Sequence, residues 1–256
     1  MELTMEADPF RIFLDMQLNL PRNGPGSDRT TASVYRTLED LPAEPEILVM
    51  GCGQGNDALT LLRETKARVT AVDIMKPFIK NLEEKAEAAG VSGERLLTVC
   101  SDFEALDLPH AVFDLIWSEG AIYTVGFEAG LKDWSKYLKP EGLLVASEAS
   151  WLTDEPSETA RSFWSNAYPD MGAVDENKVR AERVGFEVVQ TLTLPQEDWW
   201  TDYYQPLVPQ IEKARNAFAG DVGVQAMLNE QEEEIRLFEA HGDEYGYVFY
   251  VLKKSA

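Results

Sequence analysis

From residue 46 onward the apolar and polar positions follow two alternating rhythms. Ile47–Met50 is an uninterrupted apolar run, the pattern of a strand buried on both faces. Similar short runs recur at Arg68–Val72, Leu96–Val99, Phe113–Trp117 and Leu143–Ala146, and later at Phe186–Leu194 and Tyr247–Leu252. Between them the apolar residues take helical spacing. One helix is predicted from Asp57 to Lys66 and another from Pro77 to Ala89, closed by Gly90. A third runs through Leu131, Trp134 and Leu138 up to the stop at Pro140-Glu-Gly142. A helix carrying Phe163, Trp164 and Tyr168 follows, and then one near 175–184 closed by Gly185. This βα repetition predicts an α/β fold, a Rossmann-like doubly wound sheet of about seven mostly parallel strands with helices on both faces.

The two ends depart from the rhythm. Residues 8–20 have helical spacing, Pro21-Arg-Asn-Gly-Pro-Gly-Ser27 breaks it, and Ser27 or Asp28 caps a second helix ended by Pro42 and Pro45. Before the last strand lies an insertion, 195–245, aromatic at its start and acidic at its end. Its run Glu232-Glu-Glu234 reads as a solvated helix face opposite Ile235, Leu237 and Phe238. The organisation expected is one domain over 1–256, with an N-terminal helical lid (1–45), a cofactor-binding core (46–150) and the helical insertion.

Charge narrows the partners. A formal net charge of −22 and an isoelectric point near 4.4 repel phosphate backbones and anionic lipid, so neither nucleic acid nor a membrane is expected as partner. The acidity serves solubility or steers a cationic substrate. No stretch is long and apolar enough to span a bilayer, and the acidic N-terminus has no basic-then-apolar leader, so a cytoplasmic protein is expected. Cys52 and Cys100 have no framework spacing, and His110 and His241 lie far apart, which argues against a metal centre.

The chemistry gathers behind the first strand. Gly51, Gly53 and Gly55 allow a sharp turn and a close approach to a ligand, and a helix then aims its free N–H groups at the same spot. Dinucleotide sites call for G-x-G-x-x-G, but Asn56 holds the third glycine position here and the loop reads G-x-G-x-G. That loop, with Gln54 inside it, resembles motif I of the class I S-adenosylmethionine-dependent methyltransferases. The resemblance gives roles to further residues. Asp73, ending the second strand, would accept the ribose hydroxyls, both carboxylate oxygens being acceptors. Ile74 would cover the adenine, and in Ser101-Asp102-Phe103 Asp102 would bind its amino group. Tyr137-Leu-Lys-Pro-Glu-Gly-Leu-Leu144 is similar to the family's L-K-P-G-G turn, with Glu141 departing from it, and the last strand matches the family's reversed strand. Trp117–Tyr123, Gly126–Glu128, Trp134–Leu138, Ser147–Trp151 and the Pro21–Ser27 loop resemble a bacterial and archaeal subgroup of these enzymes.

A methyltransferase of this kind carries the methyl group on the cofactor's sulfonium and needs only a nucleophile held in line and out of water, plus a base where the nucleophile arrives protonated. In this fold ligands lie beyond the C-terminal strand ends, which places Ser118, Glu119, Gly120 and Tyr123 at the methionine end of the cofactor. Glu119 reads as a base or as a ligand for a cationic acceptor, and equally as a helix N-terminal glutamate. Tyr123 walls the methyl site or simply packs. Trp151, after the fifth strand, faces the same region. Trp199, Trp200, Tyr203 and Tyr204 roof the acceptor site, with Trp199 and Tyr203 as its substrate contacts, or else form the insertion's own core. Arg22 is either a surface residue or, from the likeness of its loop, a ligand of the cofactor carboxylate. The expected function is methyl transfer from S-adenosylmethionine to a small molecule, releasing S-adenosylhomocysteine. Two alternatives stand: a nicotinamide-dependent oxidoreductase, disfavoured by Asn56, and a non-catalytic S-adenosylmethionine-binding protein. The acceptor and the oligomeric state stay open.

Overall fold

The computed structural model describes residues 8–91 and 93–255. Most of the acidic N-terminus, on which the absence of a leader was read, lies outside the described residues. The chain forms two compact units. The first joins the described residues up to Pro25 with Pro195–Gly242, and the second joins Gly26–Leu194 with Asp243 onward.

In the first unit, α1 (Pro9–Leu18) starts at Asp8, whose side chain caps Phe10 N at 3.0 Å. α1 packs on α9 (Gln205–Ala217) and α10 (Val222–His241). α8 (Gln196–Trp199) runs into α9 through a π-helical stretch, Trp200–Tyr204. That wider turn gathers aromatic rings: Trp199 stacks on Phe238 at 4.6 Å, and Tyr204 lies 5.5 Å from the same ring. The acidic face of α10 departs from expectation. Glu234 accepts a hydrogen bond from Tyr204 Oη at 2.8 Å, and burial pushes its carboxyl up. Only Glu232 and Glu233 remain on the outer side, Glu232 paired with Arg215.

The second unit is built on an eight-stranded sheet. Its strands are β1 (Glu46–Met50), β2 (Arg68–Asp73), β3 (Leu96–Cys100), β4 (Phe113–Ser118), β5 (Leu138–Trp151), β6 (Gly172–Ala173), β7 (Phe186–Thr193) and β8 (Tyr245–Lys254). The order is 3-2-1-4-5-8-7, with β6 beside the end of β5. β8 runs antiparallel to both its neighbours and the other pairs are parallel. Leu48, Met50, Val72, Ile116, Leu144 and Ala146 turn into one core cluster with Phe127, Leu131 and Trp134 of α5 (Phe127–Trp134). Side chains alternate along a strand, so Ile47, Val49, Ala71, Leu115, Trp117 and Val145 face the other way, and all six are fully buried. A sheet buried on both faces is what uninterrupted apolar runs encode.

The remaining helices of this unit are α2 (Asp28–Arg36), α3 (Asn56–Glu64), α4 (Lys76–Ala88), α6 (Glu158–Ala167) and α7 (Val174–Arg183). Ser27 caps α2 through Thr30 N at 3.0 Å, and α2 packs on α3. Residues from Gly26 on, which the sequence reading grouped with the N-terminal helix, thus belong to the sheet unit.

β5 differs most from its reading. The preceding helix stops at Trp134, a 3₁₀ turn covers Ser135–Tyr137, and Leu138 is already strand, opposite Phe113. The register then slips across Lys139–Gly142, with Glu141 left-handed at φ 59°. Pro140 is tolerated there because β8 pairs with β5 only from Leu143 onward. At its other end β5 continues to Trp151, five residues beyond the predicted end at Ala146, because β8 stays paired with it as far as Tyr245. Trp151 is therefore the last strand residue and does not follow the strand.

Candidate active site

The strand order reverses between β1 and β4, and the crevice at that switch point is where an open α/β sheet receives a ligand. Two segments meet in it. The glycine loop leaves β1 with Gly51, Gly53 and Gly55 at φ 75°, 49° and 84°. Gly51 N and Cys52 N both donate to Val72 O at 2.9 Å, which ties the loop to β2. The other segment follows β4. A Cβ on Gly51 would lie 2.2 Å from the Ala121 Cβ, so only a glycine lets the two pass. Gly55 ends the loop as the cap of α3, and within the first turn Asp57 Oδ1 accepts from Ala58 N at 2.7 Å.

Asp73 organises the loop. Its Oδ2 accepts from Gly53 N at 2.8 Å and its Oδ1 from Met75 N at 2.7 Å. Each oxygen keeps a further lone pair. Burial pushes this carboxyl above its usual range, against the pull of the hydrogen bonds from Met75 and Gly53. A desolvated carboxylate with spare acceptor capacity suits a neutral diol. Beside it Ile74 is 59 % exposed, a large apolar side chain on the surface at the end of β2. Burial and the charges of Asp57 and Asp73 hold the Cys52 thiol well above its ordinary pKa, so it is a neutral packing group.

The other expected residues fall into place unevenly. Ser101 N donates to Asp73 O at 3.1 Å, and Asp102 Oδ1 accepts from Glu104 N at 2.9 Å in an exposed turn. Phe103 packs edge-on to Trp134 at 5.3 Å, and its Cζ would lie 3.5 Å from a Cβ placed on Gly51. Gln54 is buried with its side-chain oxygen turned to Asn81 and Lys85 of α4, and Lys85 also reaches its backbone carbonyl at 3.5 Å. Ser118 is fully buried, and its hydroxyl is without a hydrogen-bond partner among the described residues. Gly120, at φ 59°, donates to Ser147 Oγ at 2.8 Å, joining this segment to β5. Glu119 Oε1 accepts from Thr31 Oγ1 at 2.6 Å and from Trp117 Nε1 at 2.8 Å, tying α2 to the end of β4. Tyr123 is 43 % exposed, its ring 5.9 Å from that of Tyr168. Arg22, Trp199 and Tyr203 belong to the first unit, where all three are buried. There Gln17 Nε2 donates to Tyr203 Oη at 3.5 Å.

Residues 47–142 match the family model described as a methyltransferase domain. A solved S-adenosylmethionine-dependent methyltransferase from Geobacter sulfurreducens, in complex with S-adenosylhomocysteine, superposes with a TM-score of 0.81 at 20 % identity, over 98 % of this chain and all of the other. Residues 47–142 thus carry a methyltransferase domain, and the chain has the class I methyltransferase fold. Among curated relatives, a 24-methylenesterol C-methyltransferase from rice is 27 % identical over 68 % of this chain and 51 % of its own length. A dimethylglycine N-methyltransferase from Parasynechococcus marenigrum is 29 % identical over 74 % of this chain and 65 % of its own length. The chain thus spans about half to two thirds of these relatives.

One residue of the sheet unit drew no role from the sequence. Glu148, in the extension of β5, is 1 % exposed, and burial lifts its carboxyl to about 7. A lone acid between small residues, Ala146-Ser-Glu-Ala-Ser150, was the signal that could have found it. Among the described residues no group of His, Cys, Asp and Glu is arranged to hold a metal, and no helix is long and apolar enough to cross a membrane.

Proposed function

We propose that this chain binds S-adenosylmethionine in the β1–β4 crevice and moves its methyl group to a small-molecule acceptor by direct in-line displacement. The observation that carries the reading is the Asp73 carboxylate: buried, bonded to Gly53 N inside a loop only glycines can form, and still able to accept from a ribose. In this reading Asp73 takes the two ribose hydroxyls, Ile74 covers the adenine and Asp102 accepts from its amino group. The backbone of Gly51–Gly55 faces the amino-acid part of the cofactor. Ser118 and Gly120 stand at the methionine end, and Glu119 and Tyr123 stand toward the acceptor. The bound cofactor supplies an electrophilic methyl on a sulfonium, and the protein holds the nucleophile close and in line, which in the best cases removes roughly 7–11 kcal/mol of the barrier. The named relatives act on sterol carbon and on dimethylglycine nitrogen, so kinship leaves the acceptor atom open.

Calorimetry against S-adenosylmethionine and against a nicotinamide dinucleotide tests the reading. Binding of the first and not of the second is expected. Asp73→Ala should weaken S-adenosylmethionine binding by roughly 1.5–3 kcal/mol, about 10- to 150-fold, the range for hydrogen bonds to a charged group. Unchanged affinity would remove the ribose assignment.

A further inference from the structure

Glu148 lies outside the set of residues assigned above to the cofactor. Its Oε1 accepts a hydrogen bond from Tyr168 Oη at 2.6 Å, and its Oε2 is buried without a hydrogen-bond partner among the described residues. The charged and titratable groups around it are Tyr168 and Asp170 between α6 and β6, Arg180 on α7 and Tyr250 on β8. Arg180 directs its Nη1 to Asp170 O and Asn177 Oδ1, so it does not neutralise Glu148 by direct pairing. A purely structural acceptor for Tyr168 would not need an ionisable group at the cost of desolvating it. Strong perturbation by burial beside a specific partner is the mark of a functional acid or base.

Tyr168 connects this carboxyl to open space. Just past the C-terminus of α6, it lines a cavity of about 370 Å³ with Trp151, Trp164, Arg161, Asp154 and Glu176. Its ring also meets Tyr123, five residues beyond the end of β4. The cavity therefore adjoins the segment assigned to the methyl site. Its walls offer two tryptophans and a tyrosine with two carboxylates against one guanidinium, an environment that favours an organic cation.

Resting on the methyltransferase reading, we propose that this cavity takes the methyl acceptor, that the acceptor is an alkylammonium, and that Tyr168 backed by Glu148 removes its proton. The nitrogen gives its proton to Tyr168 Oη while the Tyr168 proton passes to Glu148 Oε1. The freed lone pair forms the bond to the methyl carbon, and the C–S pair stays on sulfur, which leaves as a neutral thioether. Glu148 then returns its proton through Tyr168 to water. Tyr168 is the catalytic residue, and Glu148, acting through it, is a positioning residue and proton store.

The test follows S-adenosylhomocysteine release by the full chain with butylamine, benzylamine and ethanolamine as probes, alongside phenol and a simple thiol. Saturable release is expected with at least one amine, rising with pH through about 7 as Glu148 loses its proton. Glu148→Gln and Tyr168→Phe should each lower kcat about 100-fold or more, with KM and cofactor affinity little changed, and Glu148→Gln should flatten the pH profile. Difference infrared spectra provide a readout without substrate: a carboxyl band that titrates near 7 and is missing in Glu148→Gln. Wild-type kcat and pH profile in both folded variants would overturn the relay. Cofactor binding with release only from phenol or thiol, or from no probe, would overturn the ammonium assignment and leave the methyltransferase reading standing. Failure of S-adenosylmethionine to bind would remove both.

Discussion

Replacing Gly51 by alanine should abolish measurable S-adenosylmethionine binding and destabilise the domain by roughly 2–5 kcal/mol, the sum of a left-handed non-glycine residue and an overpacked contact. Gly51 sits at φ 75°, and a Cβ there would meet the Ala121 Cβ at 2.2 Å, far inside the roughly 3.5–4 Å at which carbons rest. Neither partner is the free end of a long side chain. Relief requires the glycine loop or the segment after β4 to move, and those are the two walls of the crevice. Gly90→Ala is the control. It is also left-handed, at φ 69°, but its Cβ would meet nothing within 4 Å. That variant should lose only about 1–2 kcal/mol and keep cofactor affinity. Thermal unfolding and calorimetry on the two variants check this, and equal losses in both would show that backbone strain alone accounts for the effect.

Glu148→Gln should make the protein more stable at pH 8 while it slows the reaction. The folded state raises this carboxyl from 4.5 to about 7. It therefore holds a proton that the unfolded chain has released between those values. The stability linked to that proton is fully present below about 4.5, falls as pH rises, and is gone above about 7. At pH 8 the wild type carries the cost of a buried charge, roughly 3 kcal/mol for a shift of this size. An isosteric amide has no such cost. The variant should melt roughly 5–10 °C higher at pH 8, and the difference should vanish toward pH 4. A pH-independent difference in melting temperature would mean that Glu148 is not the titrating group. A stabilising substitution that removes activity is the usual sign of a residue kept for function.

Much of the fold was legible because its signals are local. Ile47–Met50, the three glycines and Asp73 lie within one βαβ unit, and each carries its meaning in its own chemistry: apolar continuity, freedom at positive φ, a carboxylate at a strand end. What escaped depended on partners distant in sequence. The end of β5 could not be placed from its own residues, because Ser147–Trp151 is held in the strand by pairing with Tyr245–Phe249. Leu138 looked like the last position of a helix and is a strand residue because Phe113 lies opposite. Glu234 looked solvated until Tyr204, thirty residues away, was found on it. Gln54, inside the glycine loop, has its side-chain oxygen taken by Asn81 and Lys85, 27 and 31 residues further along the chain.

The sequence by itself therefore determined the class of sheet, the position of the glycine loop and the acid bonded to it, since spacing and residue type suffice for these. The tertiary structure decided which acid is buried. Glu119 was the favoured base by position, yet its Oε1 is engaged by Thr31 and Trp117, whereas Glu148 keeps a buried oxygen without a hydrogen-bond partner among the described residues. Desolvation is set by everything packed around a group, from α6, α7 and β8 as well as its own strand, and no local pattern encodes that sum.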